Sequence, residues 1–192
     1  MSDDAMSFDP GQTALIVVDL QNFTVALNTV PHMATDVLAN AIRLADACRE
    51  AGILVVLVRV GHDAAKVPQL APLTDSKFSG FDYGPDAKEI PPELGPKDGD
   101  VLVDKYNWGA FYGTNLDVHL RRRGIRTLIV CGLTTHIGVD TTMRHAQERG
   151  YDQVLVSDAV AAFTLEEHDY TLKTIAPRLS RVRTTDQVLA AL

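Results

Sequence analysis

Five short runs of apolar, largely β-branched residues punctuate the chain: TALIVVD at 13–19, ILVVLVR at 53–59, VLVDK at 101–105, TLIVCG at 127–132 and QVLVSD at 153–158. They lack strict polar alternation, which suits strands covered on both faces of a parallel sheet. Between them the spacing turns helical. In MATDVLANAIRLADACREAG, Val37, Leu38, Ala41, Ile42, Ala45 and Cys48 fall on one stripe, and Gly52 stands where a C-cap glycine would stop the helix. Thr114 or Asn115 can cap a helix through Leu116 and Leu120 to Arg123, ended by Gly124, and a third helical stretch, HIGVDTTMRHAQERG, ends at Gly150.

Strands alternating with helices predict βαβ units, hence an α/β fold: a parallel sheet with helices on both faces, joined by right-handed crossovers. RVRT at 181–184 supplies a last short strand and DQVLAAL a closing helix. The exception is 61–100, rich in Pro, Gly, Asp and Lys, which reads as a long loop serving as a lid or an interface. No repeat or second domain is visible, so 1–192 reads as one domain, as a length of 192 residues suggests.

Charge and composition narrow the partners. Lys and Arg number 18 against 25 Asp and Glu, a net charge of -7 with no basic patch, which argues against nucleic acid and against an anionic membrane surface. MSDDAMSFDPG, at the start, lacks the basic and apolar regions of a secretory signal, and the longest apolar run, 53–58, is far too short to span a bilayer. Two cysteines, Cys48 and Cys131, cannot make a disulfide scaffold, so a reducing, cytoplasmic setting is expected.

In an open parallel sheet, ligands bind at the carboxyl ends of the strands. Asp19 ends the first run and Lys105 the third, while 132–138 joins the fourth to its helix. Taken singly, Asp19 also reads as a turn or cap aspartate and Lys105 as a solvated strand end. As a pair they would set desolvation against a neighbouring cation, the tuning that general acid or base chemistry uses.

ALIVVDLQNF at 14–23, the long stretch at 104–151 that runs from DKYNWGAFYGT through CGLTTHIGVDTT to HAQERGY, and VSDAVAAFTLEEH at 156–168 together resemble the isochorismatase-like hydrolases, within the cysteine hydrolase superfamily. The resemblance covers almost the whole chain. It implies a three-layer, Rossmann-like fold with a six-stranded parallel sheet, and carries the catalytic Asp and Lys of the family onto Asp19 and Lys105. It also implies a small-molecule substrate, no cofactor, a homodimer or homotetramer, and a site for a cis peptide at Leu133–Thr134.

At the position of the family's nucleophilic cysteine stands Gly138. Cys131, in a buried run, and Cys48, on an apolar stripe, read as core residues and not as replacements. The resemblance gives the glycine a meaning, since true isochorismatases carry HIG or a close variant there, like THIGV at 135–139, and cleave a vinyl ether. That reaction needs a carboxylic acid to protonate carbon, a group to orient the acid, and water. Close helix packing would also account for Gly138.

Phe23 and Trp108 stand out as pocket aromatics, with Leu133 and Thr134 beside the site; Tyr106, Phe111 and Tyr112 are equally well core or interface residues, and Thr134 and Thr135 equally well N-caps. His136 reads as a site residue or a solvated helix start, Gln21 as a cap or a loop brace, and Arg121–Arg123 as charge suited to a helix C-terminus. The family's metal-dependent members carry Asp-x-His after the second strand. Here His62 and Asp63 are adjacent, and no metal is expected. Arg59, Lys66 and Lys77 are candidates to meet substrate carboxylates. A hydrolase of another small polar molecule, with water as nucleophile, and a non-catalytic scaffold remain as the other readings.

Overall fold

The computed structural model describes residues 6–61, 72–75 and 86–192. Its strands form one all-parallel sheet in the order β3-β2-β1-β4-β5-β6. They are β1 (Thr13–Val18), β2 (Leu54–Val60), β3 (Val101–Lys105), β4 (Thr127–Leu133), β5 (Asp152–Ala161) and β6 (Arg181–Arg183). The helices are α1 (Asn22–Val25), α2 (Ala34–Glu50), α3 (Leu116–Arg122), α4 (Asp140–Glu148), α5 (Leu165–Tyr170), α6 (Ala176–Leu179) and α7 (Thr185–Leu189).

Every residue of β1 is buried, because helices cover both faces of the sheet. Leu15 and Val17 pack with the stripe Val37, Ala41, Leu44 and Cys48 of α2 and with Val188 of α7. Ala14, Ile16 and Val18 point the other way, into a second core with Leu116 and Leu120 of α3, Met143 and Ala146 of α4, and Ala176 of α6. Three layers follow from this alternation. At the β3 edge, Val101, Val103 and Lys105 are buried while Leu102 and Asp104 are half-buried, so strand parity carries the Lys105 side chain inward.

The chain runs outward from β1 to β3 and then returns to lay β4 on the other side of β1. That reversal is the topological switch point, where the loops after β1 and β4 part and leave a crevice at the strand ends. Gly132 lets the two strands approach: it adopts φ +117°, and a Cβ there would lie 2.1 Å from the Val18 carbonyl oxygen.

Several elements differ from the sequence reading. β5 extends to Ala161 through Ser157 and Asp158, with a register shift against β4 between Val130 and Gly132. The helix after β4 opens as a π-helical turn, Thr135–Val139, before α4 proper. The short helices α1, α5 and α6 carry too few turns for a periodic apolar signature. Gly52 ends the α2 segment at φ +74°, as its position suggested.

Candidate active site

Asp19 follows β1 in the left-handed region, φ +53°, which the short polar side chain of aspartate tolerates better than most. Its N–H still donates to Val58 O at 2.9 Å, extending the sheet by one residue. The Thr24 hydroxyl fixes the turn from the other side, 2.5 Å from Asp19 O and 2.8 Å from Gln21 O, while accepting the Gln21 N–H at 2.9 Å. Gln21 is the brace the sequence suggested. Its amide donates to Val60 O and Lys88 O and accepts the Val60 N–H, tying α1 to the end of β2 and to 86–89.

Lys105 reaches the same point from β3. Its Nζ lies 2.7 Å from Asp19 Oδ2 and 3.0 Å from the carbonyl oxygens of Asn107 and Trp108. Three acceptors match the three ammonium donors, so this cation is held in one place. Lys105 is 2% exposed and Asp19 7%. Asp19 Oδ1 is buried and has no hydrogen-bond partner among the described residues. Burial pushes the Asp19 carboxyl above its ordinary 3.8; the charge and hydrogen bond of Lys105 oppose this without cancelling it.

The turn after β4 closes the third side. A Cβ on Gly138 would stand 3.1 Å from Asp19 Oδ2, 3.2 Å from Leu133 O and 3.3 Å from Val18 Cγ1, so the helix backbone lies directly against the carboxyl group. The Leu133–Thr134 peptide is cis, and both residues are buried. The Thr142 hydroxyl donates to Gly138 O at 2.6 Å and accepts the Ala110 N–H at 3.1 Å, joining this turn to the segment that wraps Lys105.

Asp19, Lys105, Leu133, Thr134 and Gly138 are thus brought together, with Phe23 half-buried on α1. Trp108 contributes its carbonyl to Lys105, while the residue as a whole is 66% exposed. Phe111 belongs to the core beside Tyr151, and Tyr112 is exposed. Arg59 is committed to Asp104, its neighbour across β2 and β3. His62, Asp63, Lys66 and Lys77 lie outside the described residues, as does much of 61–100; among the described residues no three metal-ligating side chains cluster. Sequence reasoning did not find the carbonyl pair that holds Lys105, nor Thr24 and Thr142, whose only signal is a hydroxyl spaced to reach back along its own turn.

His136 packs edge-on against Phe163 and places Nε2 3.5 Å from Glu167; burial lowers its pKa. Cys131 and Cys48 are both fully buried. Desolvation raises the Cys48 thiol to about 12 and pushes Cys131 up as well, so neither is available as a thiolate. A separate cleft of about 380 Å³ opens at the amino ends of the strands, lined by Gly11, Arg49, Ile53 and Ile125, at the opposite end of the sheet from Asp19.

Residues 13–187 match the isochorismatase domain family. The solved structure of an isochorismatase family protein from Burkholderia thailandensis superposes with a TM-score of 0.92 at 39% identity, covering 98% of this chain and 99% of that one. YwoC, an uncharacterized isochorismatase family protein of Bacillus subtilis, is 41% identical over 96% of each chain. The isochorismatase of Bacillus subtilis is 34% identical over 94% of this chain, which spans only 58% of that longer protein. Sequence and fold agree over nearly the whole length, and the chain belongs to the isochorismatase family.

Proposed function

We propose that the chain is a hydrolase that cleaves the vinyl ether of isochorismate, or of a related small molecule, with Asp19 as general acid and no covalent enzyme intermediate. The observation that carries the reading is the asymmetry of the Asp19 carboxyl group. Oδ2 is held by Lys105 and faced by a glycine, whereas Oδ1 is buried with no hydrogen-bond partner among the described residues, which leaves it as the oxygen to carry the proton. Burial favours the protonated acid, the form that this step consumes.

The proton on Asp19 passes to the methylene carbon of the enol ether, and the electron pair of the double bond forms the new C–H bond. The cation left behind is shared by the substituted carbon and the ether oxygen. Water adds to that carbon and returns a proton to the Asp19 carboxylate. In the resulting hemiketal the bond from the substituted carbon to the ether oxygen breaks as the hydroxyl proton passes to that oxygen, releasing pyruvate and a dihydrodiol. Lys105 holds the carboxyl group in place throughout and stabilises its ionised form between the two proton transfers. Gly138 lets the turn backbone stand directly against the acid, where a Cβ would come within 3.1 Å of Oδ2.

Pyruvate release from isochorismate, followed by coupled reduction to lactate, tests this directly. The unaltered chain should turn over, and Asp19→Asn should lose about 10² to 10⁴ in kcat, the usual contribution of a general acid. Release that is absent, or independent of Asp19, overturns the proposal. Silence towards isochorismate with Asp19-dependent hydrolysis of another small ether or amide would favour the broader hydrolase reading; silence towards all of them would favour a scaffold.

A further inference from the structure

The acid mechanism leaves unused a buried histidine that touches the catalytic turn. His168 lies on α5 and is 5% exposed, and its Nδ1 is 3.1 Å from Oγ1 of Thr135, which is fully buried. Thr135 opens the π-helical turn that ends at Val139, three residues before Gly138. The imidazole also meets the edge of His32 at 6.1 Å between ring centroids, and His32 belongs to the segment whose Val30 pairs with Ala162 after β5. Three segments converge on this ring: the one before α2, the start of α5, and the turn bearing Gly138. The neighbouring contact of His136 with Glu167 joins the same two elements, one residue after Thr135 in the turn and one residue before His168 in α5.

A hydrogen bond between two buried side chains is a directional constraint. Two apolar residues of similar size would fill the space without fixing rotation, and would leave no polar atom to satisfy. What is constrained here is the turn whose backbone stands against Asp19 Oδ2, close enough for a Cβ at 138 to come within 3.1 Å. Rotation of that turn about its axis would move the wall of the acid site, where a displacement of about 1 Å is enough to cost 10²-fold in rate.

We propose that His168, through its hydrogen bond to Thr135, is a positioning residue that holds the Thr135–Val139 turn at its working distance from Asp19. The ring acts in its neutral form. Burial lowers its pKa, His32 and Lys173 push the same way, and only Asp169 opposes them. The role rests on Asp19 being the acid, but the placement of the turn can be read without substrate.

Two pairs of variants test it. Thr135→Val removes the hydroxyl and keeps the shape, while Thr135→Ser keeps the hydroxyl; His168→Leu removes the ring nitrogen, while His168→Asn offers an amide at the branch point of Nδ1. Each is assayed for pyruvate release from isochorismate, and each is labelled with ¹⁵N-glycine. The Gly138 amide signal is assigned by its loss in Gly138→Ala. Thr135→Val and His168→Leu should shift that signal and lower kcat about 10-fold or more with KM changed less than about twofold, while Thr135→Ser and His168→Asn stay near the unaltered chain. The double variant Thr135→Val/His168→Leu should be no worse than the worse single one, since both break one bond. Loss of thermal stability with kcat and the Gly138 signal unchanged would overturn the proposal, leaving His168 a packing residue. If the unaltered chain releases no pyruvate, the vinyl ether reading fails separately. The Gly138 signal then decides alone: a shift in the two disruptive variants only supports the positioning role, and an unmoved signal overturns it.

Discussion

Replacing Lys105 with methionine should destabilise the chain in a strongly pH-dependent way. The substitution keeps an unbranched side chain as far as Cε and removes the ammonium that faces Asp19 Oδ2 at 2.7 Å. In the unaltered chain the Asp19 pKa is raised above 3.8 because burial outweighs Lys105. A carboxyl group raised on folding favours the native state fully below its unfolded pKa, and that contribution is lost as pH rises through the folded pKa. Methionine removes both influences that restrain the shift, leaving burial alone, so the folded pKa climbs further. Between the two folded values the variant should lose about 1.4 kcal/mol of stability per pH unit relative to the unaltered chain.

A second loss is independent of the Asp19 titration. The carbonyls of Asn107 and Trp108, each 3.0 Å from Nζ, lose their donor, at about 1–2 kcal/mol together. The total by pH 8 should reach about 3–5 kcal/mol, the usual penalty for breaking a buried ion pair from one side. Urea unfolding between pH 4.5 and 8 measures this, with Asp19→Asn/Lys105→Met as the control whose deficit should stay nearly flat. A Lys105→Met deficit that is the same at both ends of that range, within about 0.5 kcal/mol, would refute the coupling and with it the claim that a desolvated carboxyl sits at this strand end.

On the proposed mechanism, activity should fall as pH rises through the Asp19 pKa, which lies above the ordinary carboxyl value, because the protonated form is consumed; a pH–kcat profile with its basic limb at an unshifted carboxyl value would contradict the site electrostatics. Iodoacetamide should leave the native chain unalkylated and its activity intact, since Cys48 and Cys131 are fully buried with raised pKa values, whereas both thiols should react once the chain is unfolded; mass spectrometry of the native protein after treatment checks this. Gly132→Ala should cost more than about 4 kcal/mol or prevent folding, because its Cβ would fall 2.1 Å from Val18 O in a backbone conformation, φ +117°, that alanine rarely adopts; a urea midpoint close to that of the unaltered chain would refute the close approach of β1 and β4.

The strands were legible because a doubly covered parallel sheet demands unbroken apolar runs, and TALIVVD or TLIVCG admit few other readings. The α2 stripe was legible for the same reason at a different period. β5 outruns the QVLVSD run of the sequence reading, because Ser157 and Asp158 look like the polar end of a strand. Only the register shift against β4, a property of the pair and not of either segment, carries the strand on to Ala161. The ends of β1 and β3 and the residues after β4 pointed to Asp19, Lys105 and Gly138 through one topological rule. What stayed hidden is what depends on tertiary approach: the Asn107 and Trp108 carbonyls around the ammonium, and the pairing of Thr135 with His168. No local spacing encodes a contact between a turn after β4 and a helix after β5.

The identity of residue 138 and the protonation of Asp19 are coupled by geometry. A thiol at 138 would stand beside Oδ2, where an ionised carboxylate is the useful form because it can take the thiol proton. A glycine removes that demand and also adds no polar group to help solvate the carboxylate. Lys105 cannot take over as the acid without giving up one of its three contacts, since each ammonium proton already meets an oxygen. In the proposed mechanism the proton for carbon comes from Asp19, and burial is the influence that favours its protonated form. On that proposal one arrangement of Asp and Lys at two strand ends suits a base when a nucleophile stands at 138 and an acid when nothing does, and residue 138, more than the pair itself, is the position that decides the class of reaction.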